Sequence, residues 1–413
     1  MKYFKNVDLV QNYIVSDKAV RNWIVSAQEG KLDLHLHQLG NKHYIIDDLH
    51  NKAVLDGLVI RSQKYKNKRS RLELKPTKEF YTLFDRHQII EIIEELDCRR
   101  ILPMKYKYFG EGADYWNKYL HELVSAGQRN LITNTIEALG LELSHLDMVT
   151  ATYPNVNIVN LCVGSCNMLK ETLCHFKEQE KLRRFVAIDI SESMLSFSEK
   201  NINEWFGGKL LTEKYVRDLG FERFRDILAR DSFGLDAKET VNLLFLVGGP
   251  LVNFKNPQEL LSTIYNSMGK NDYLTITLKR DTERTRRFFD FNLKKDESLL
   301  SLHDGLLLKL LNIEPSYYEL EQSFDEKSKL RTMAAILRKD LSIAFELSNF
   351  KKKINLKKGD RLPVWWSWHH SDEDIIARLT TAGFDIQSIL KSSDNQLICL
   401  TVKRQEKTND QSL

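Results

Sequence analysis

The stretch Val156-Asn-Ile-Val-Asn-Leu-Cys-Val-Gly-Ser-Cys166 decides the fold of this chain. It opens as an apolar, β-rich run and breaks into a loop of small residues, after which Met168 to Phe176 carries a helical rhythm. Further along, Phe185-Val-Ala-Ile-Asp189 reads as a second strand. Val241-Asn-Leu-Leu-Phe-Leu-Val247, closed by Gly248-Gly-Pro250, and Tyr273-Leu-Thr-Ile-Thr-Leu278 read as two more. Strands alternating with helices predict an α/β fold, a doubly wound, Rossmann-like parallel sheet over residues 151–281. Upstream, Ile89 to Leu102, Asp114 to Ser125 and Thr135 to Leu146 show helical periodicity, so 76–150 is expected to be a helical lid or N-lobe. Residues 282–350 are charged and read as a largely helical insertion, a substrate lobe extending to 360. Ile375 to Ala382 and Gln396 to Lys403 return to helix-then-strand, which assigns 361–404 to the last part of the sheet. A polar tail, 405–413, follows.

A length of 413 residues gives room for two or three domains at roughly 100–200 residues each. Hydrophobic residues at 42% and charged residues at 29% exclude a disordered chain. No apolar run approaches the ~20 residues that span a bilayer, so no membrane partner is expected. Met1-Lys-Tyr-Phe-Lys-Asn6 has no apolar secretory core, and the five scattered cysteines then read as reduced thiols in the cytoplasm. Cys162, Cys166 and Cys174 do not form paired metal-ligand spacings and have no evident fourth ligand. They are expected to be small packed side chains, and no metal is expected.

The net charge of +4 is unevenly spread. Residues 1–75 hold 14 Lys/Arg against 8 Asp/Glu, a net +6, and six cations fall within Arg61-Ser-Gln-Lys-Tyr-Lys-Asn-Lys-Arg-Ser-Arg71. Val7 to Ile14 predicts one helix. Ser16 caps a second, in which Ala19, Val20, Trp23, Ile24 and Ala27 form one buried stripe. Two alternating segments around Gly40-Asn41 then predict a hairpin, and Asp47 starts another helix. This order over residues 1–60 resembles the small winged helix-turn-helix domains of the excisionase and MerR type, followed by a basic linker, 61–75. The resemblance implies that the second helix enters the major groove of DNA, with Lys18, Arg21 and Asn22 as contacts. Lys64, Lys66, Lys68 and Arg69 would neutralise phosphates. A protein-docking or dimerisation module with a solvated linker is the competing reading, and a homodimer is among the expected partners.

In an open α/β sheet a ligand lies beyond the carboxyl ends of the strands, where strand order reverses. A small-residue loop there admits backbone amides, an acid at the next strand tip accepts from ribose hydroxyls, and a third acid or amide reads an adenine amino group. Leu161-Cys-Val-Gly-Ser-Cys-Asn167, Asp189 and Asp218, after Lys214-Tyr-Val-Arg217, stand in that order. The trio would also suit a dinucleotide, but the loop lacks G-x-G-x-x-G, and no Lys-Ser/Thr follows it as in a phosphate-binding P-loop.

From about Tyr106 to Lys403 the chain resembles the histidine-specific methyltransferase family, class I enzymes that trimethylate histidine using S-adenosylmethionine. Val159-Asn-Leu-Cys-Val-Gly-Ser-Cys166 is similar to the family's Val-Glu-Leu-Gly-Ser-Gly-Ser-Gly loop, and Ala187-Ile-Asp-Ile-Ser-Glu-Ser-Met-Leu195 to its Val-Asp-Val-Ser block. Leu244-Phe-Leu-Val-Gly-Gly-Pro-Leu-Val-Asn-Phe254 resembles its Phe-Pro-Gly-Ser-Thr-Ile-Gly-Asn-Phe signature. Tyr108-Phe-Gly-Glu-Gly-Ala-Asp-Tyr-Trp116 resembles its lid motif. The resemblance implies a cofactor site of Asn160, Cys162, Gly164, Ser165, Asp189, Ile190, Asp218, Leu219 and Gly248. It implies a substrate site of Tyr108, Gly249, Asn253, Trp365 and Ser367, with no assignable general base. Each also has a packing role available: Tyr108 as a core aromatic, Asn253 as a loop cap, Asp218 as a helix cap. The sequence departs from the family at Asn160, where the family has an acid, and at Cys162 and Cys166, where it has glycines. Trp365 stands at the glutamate that would bind imidazole, so histidine is not the expected acceptor.

Three functions follow as expectations. The first is methylation of an amine or similar nucleophile of a small molecule or peptide. The second is a DNA-binding regulator whose methyltransferase domain senses the cofactor or a metabolite. The third, methylation of nucleic acid, is disfavoured because Val247-Gly-Gly-Pro-Leu251 replaces the Asp/Asn-Pro-Pro-Tyr/Phe tetrapeptide of base methylation.

Overall fold

A computed structural model describes residues 2–13, 15–69, 71–125, 127–232, 239–283, 285 and 300–405, excluding the side chains of 61–69 and 231–232. The chain divides into two compact units, 1–73 with 340–342, and 74–339 with 343–413.

The first unit runs α1 (Asn6–Tyr13), α2 (Asp17–Gln28), β1 (Leu36–Leu39), β2 (Lys42–Ile45) and α3 (Leu49–Arg69). Ser16 caps α2 by accepting from the Ala19 amide at 3.2 Å. Val20 lies at 0% exposure in a core with Leu9, Leu34, Ile45 and Leu55, and Trp23, Ile24 and Ala27 pack half-buried against it, so the stripe faces the core with Val20 at its centre. The β1–β2 pair is antiparallel, with Leu36 opposite Ile45. One expectation is corrected: the segment read as a basic linker continues α3 as far as Arg69. Lys, Arg and Gln are strong helix formers and no Pro or Gly interrupts the run. The side chains of Lys64, Lys66, Lys68 and Arg69 lie outside the described residues.

A short strand, β3 (Leu72–Leu74), ends at the first residue of the second unit, which continues with α4 (Lys78–Leu83), α5 (Arg86–Glu94), α6 (Gly110–Ser125) and α7 (Leu131–Val149). The sheet follows as β4 (Asn155–Leu161), α8 (Lys170–Glu178), β5 (Leu182–Asp189), α9 (Glu192–Phe206), β6 (Leu211–Val216), α10 (Arg225–Leu228), β7 (Thr240–Leu246), α11 (Pro257–Ser267) and β8 (Tyr273–Lys279). It is completed by β14 (Phe384–Lys391) and β15 (Leu397–Arg404), in the order β14-β15-β8-β7-β4-β5-β6. β4, β5, β6, β7 and β8 pair in parallel, and β15 is antiparallel to both β8 and β14. Helices cover both faces, so the central strands are apolar on both sides. Val159, Leu161, Val186 and Ile188 enter one core cluster, whereas Ile158, Phe185 and Ala187 enter the other. The chain winds from β4 to one edge through β5 and β6, then returns to the other side through β7. Strand order therefore reverses at β4.

Residues 282–350, expected to be largely helical, are corrected where they are described. They hold β9 (Tyr318–Asp325), β10 (Leu330–Leu337), β11 (Leu341–Leu347) and the first residue of the adjoining β12 (Phe350–Leu356). β13 (Arg361–Trp368) belongs with β10 and β9 in a separate antiparallel sheet, not in the main one. The high charge content of this lobe reflects alternation rather than a helical face. Along β9, Tyr318 is buried while Glu319 and Glu321 project outward, and Arg361 Nε reaches Glu321 at 2.7 Å across the lobe. Among the described residues no helix is long and apolar enough to cross a membrane.

A buried ion pair ties two sheet strands. Arg184 on β5 has a side chain 1% exposed and meets Glu213 on β6 at 3.0 Å, with Ile227 O taking a second guanidinium hydrogen at 3.0 Å. Removing one partner strands a buried charge. Glu213→Ala is expected to cost about 3–5 kcal/mol in urea denaturation, while Arg184→Met with Glu213→Leu costs much less. Equal losses in the two proteins would contradict this reading.

Candidate functional site

The loop after β4 needs three left-handed residues to turn back toward α8. Cys162 (φ 53°), Gly164 (φ 53°) and Cys166 (φ 63°) supply them. Two cysteines thus hold a conformation that favours glycine, at a cost of about 1 kcal/mol each. Cys166 is buried, its thiol pushed up to about 12 by desolvation, and Asn160 Nδ2 donates to its sulfur at 3.8 Å. Asn160 itself is buried and does not border the cavity described below, so it supports the loop from beneath. Ser165 O accepts from Asn201 Nδ2 at 2.7 Å, which anchors the loop to α9. A Cβ built on Gly164 would meet no atom within 4 Å, so the backbone there faces open space.

Asp189 ends β5 beside this loop. Its carboxylate accepts from Ser191 N at 2.9 Å and from Gly164 N at 3.3 Å. Burial nevertheless raises its pKa to about 6, because these amides only partly replace the lost hydration. Asp218, after β6, accepts from Gly220 N at 2.9 Å and is also held by the ammonium of Lys105. Lys105 Nζ lies 2.7 Å from Glu91 Oε1, so it bridges the lid and the sheet.

These features border one cavity of about 930 Å³ at the carboxyl ends of the strands. Of the sequence-derived residues, Cys162, Gly164, Ser165, Asp189, Ile190, Asp218, Leu219 and Gly248 line it. So do Tyr108, Gly249, Asn253, Trp365 and Ser367. Gly248 and Gly249, at φ 82° and 86°, turn the chain after β7. Lys18, Arg21 and Asn22 lie exposed on α2 in the other unit.

Sequence reasoning missed a polar wall around Tyr108. Lys107 is 5% exposed and pairs with Asp304 at 2.9 Å, with burial pulling the ammonium down and Asp304 opposing that pull. His303 donates from Nδ1 to Gly112 O at 3.1 Å, which selects the Nδ1–H tautomer, and it stacks on Trp116 at 5.0 Å. Burial and the Lys107 charge hold His303 below the ordinary histidine range, so it is neutral at pH 7. The Tyr108 ring packs edge-on against both His303 and Trp116, and burial raises its phenol. At the far end Lys279 is drawn down to about 8 by burial. Lys107 went unread although it directly precedes the lid motif, and nothing local marks His303 or Asp304.

Residues 88–404 match the model of the histidine-specific, S-adenosylmethionine-dependent methyltransferase family. The chain belongs to that family. It is an S-adenosylmethionine-dependent methyltransferase. Among solved structures it is similar to an S-adenosylmethionine-dependent methyltransferase from Clostridium acetobutylicum ATCC 824, at 14% identity over 70% of this chain and 99% of that one, with a TM-score of 0.40. It is also similar to magnesium protoporphyrin IX methyltransferase from Synechocystis PCC 6803 with bound S-adenosylhomocysteine, at 12% identity over 71% and 97%, with a TM-score of 0.37. Both scores lie below 0.5, and the family model carries the assignment. None of the curated proteins matches the chain.

The residues present fit the cofactor. An open backbone cradle at Gly164 adjoins a buried carboxylate that has been stripped of water. An acceptor role for Asp189 requires its ionised form, so the affinity for S-adenosylmethionine should fall as pH drops below about 6, approaching tenfold per pH unit. For the fold the sign is opposite. The folded carboxyl holds its proton more tightly than an unfolded one at about 4, so this group's contribution to stability declines as pH rises from about 4 to about 6. Calorimetry from pH 5 to 8 on wild type and Asp189→Asn checks this, and a profile equally steep in the variant would refute it.

Proposed function

We propose that the methyltransferase acts on an amine or similar nucleophile of a small molecule or peptide other than histidine. When bound, S-adenosylmethionine supplies a methyl group on a sulfonium sulfur for in-line transfer to a nucleophile. Gly164 would hold it through its backbone, Asp189 through the ribose hydroxyls and Asp218 through the adenine amino group. Ile190, Leu219 and Gly248 would form the apolar and close-packed walls. Tyr108 and Asn253 would orient the acceptor. Such a reaction depends mainly on proximity and alignment, with the nucleophile presented neutral.

The observation that carries the acceptor reading is Trp365 on the cavity wall, with Ser367 beside it. An indole has one N–H donor and no acceptor to take an imidazole proton. With Trp116 and Tyr108 it offers π faces that favour a planar or cationic acceptor. Incubation with methyl-labelled S-adenosylmethionine is expected to label an amine or peptide acceptor and leave free histidine unlabelled. Histidine methylated as fast as the best other acceptor would sink the proposal.

A second reading, a DNA-binding regulator, is favoured by the exposure of Lys18, Arg21 and Asn22 along one capped helix, although Arg21 also pairs with Asp17. Fluorescence anisotropy with duplex DNA is then expected to show binding that weakens with salt, and Lys18→Ala should lower the salt slope by about one. Binding insensitive to salt would exclude it.

A further inference from the structure

The first unit carries a side-chain cluster that the methyltransferase reaction does not use. Asp33, His35 and His50 each offer a ligand atom, and the three lie within 4.8 Å of one another. Asp33 and His35 stand on the lead-in to β1, and His50 lies in the first turn of α3. His50 Nε2 is 3.3 Å from Asp33 Oδ2, and the two imidazoles stack at 4.4 Å between centroids.

We propose that Asp33, His35 and His50 bind a divalent transition-metal ion of the zinc class. The donor set is two imidazoles and one carboxylate, which suits a borderline ion and leaves a fourth position for water. Ligands at about 2.0–2.1 Å from a tetrahedral ion stand closer together than 4.8 Å, so the side chains must draw in and the stacked rings must turn. The side chains are exposed, 83% at Asp33, 53% at His35 and 41% at His50, and His50 Nε2 exchanges its 3.1 Å contact with Asp33 O for the ion.

The backbone beneath them is fixed. Asn51, at 0% exposure, clamps His35 by accepting from its amide and donating to its carbonyl, both at 2.8 Å. Asn51 also donates to Ile46 O at 2.9 Å and, through its own amide, to Asp48 Oδ1 at 2.7 Å. Asp48 Oδ2 meets His35 Nδ1 at 2.8 Å. A carboxylate on one ring nitrogen directs the proton there and leaves Nε2 with its lone pair, the arrangement that orients metal-ligating histidines. An ion held in this way joins the strand lead-in to α3 and stabilises this unit.

The test is isothermal titration of the tag-free full-length chain with zinc chloride at pH 7.5, with thermal unfolding followed in parallel. A single zinc ion per chain and a raised unfolding midpoint are expected. His35→Ala and His50→Gln should each weaken binding at least tenfold, Asp48→Asn should weaken it about 10–100-fold, and Cys98→Ser should change nothing. Far-UV circular dichroism confirms that the exposed substitutions leave the fold in place. No zinc uptake by wild type, or uptake undiminished in His50→Gln, overturns the proposal. Binding of S-adenosylmethionine, measured on the same variants, is expected to be unchanged.

Discussion

Right-handed crossovers are the constraint on which the rest of the enzyme depends. A strand feeding a helix and returning to a parallel neighbour can pack only with that hand. The chain that leaves β4 through α8 therefore builds outward to β6 on one side, while β7 and β8 build on the other. Adjacent connections diverge above β4, and the crevice between them becomes the cavity. The left-handed backbone at Cys162, Gly164 and Cys166 follows from the same geometry, because the loop has to turn sharply beneath that crevice.

Within the crevice the charges largely answer one another. Lys105 sits between Glu91 and Asp218, Lys107 meets Asp304, and Arg129 reaches Glu137 at 3.2 Å. Paired charges are tolerated where isolated ones would be expelled, and in poorly hydrated surroundings each pair also fixes the side chains it joins. The lid is held to the sheet in this way. Ser191, the cap of α9, donates to Tyr108 O at 2.6 Å, placing the Tyr108 ring against His303 and Trp116. Asp189 differs from the paired acids: among the described residues its hydrogen-bond donors are backbone amides, which leaves capacity to accept further hydrogen bonds.

Local sequence was a sound guide wherever a residue's role depends on its near neighbours. The apolar strands, the small-residue loop, Asp189 at a strand tip and the Gly248-Gly249 turn were all legible, because period and backbone conformation are local properties. The β lobe was misread since Glu and Lys content over 318–356 looks helical, and only cross-strand pairing reveals the alternation. Helix α3 was cut short for the converse reason: a basic run was taken for a linker although its residues favour helix.

The sequence by itself determined the strand–loop–acid order of the cofactor end, because each part is a short-range consequence of residue type. It also identified Trp365 as a departure that bears on the acceptor. Only the tertiary structure decided that Trp365 and Ser367, distant in sequence from Tyr108, border the same cavity as Tyr108 and Gly164. It alone brought Lys107, His303 and Asp304 together, since a buried pair between a lid and an insertion has no signature in either segment. It also placed Asn160 under the loop rather than on the cavity wall, where burial and its bond to Cys166 make it a support.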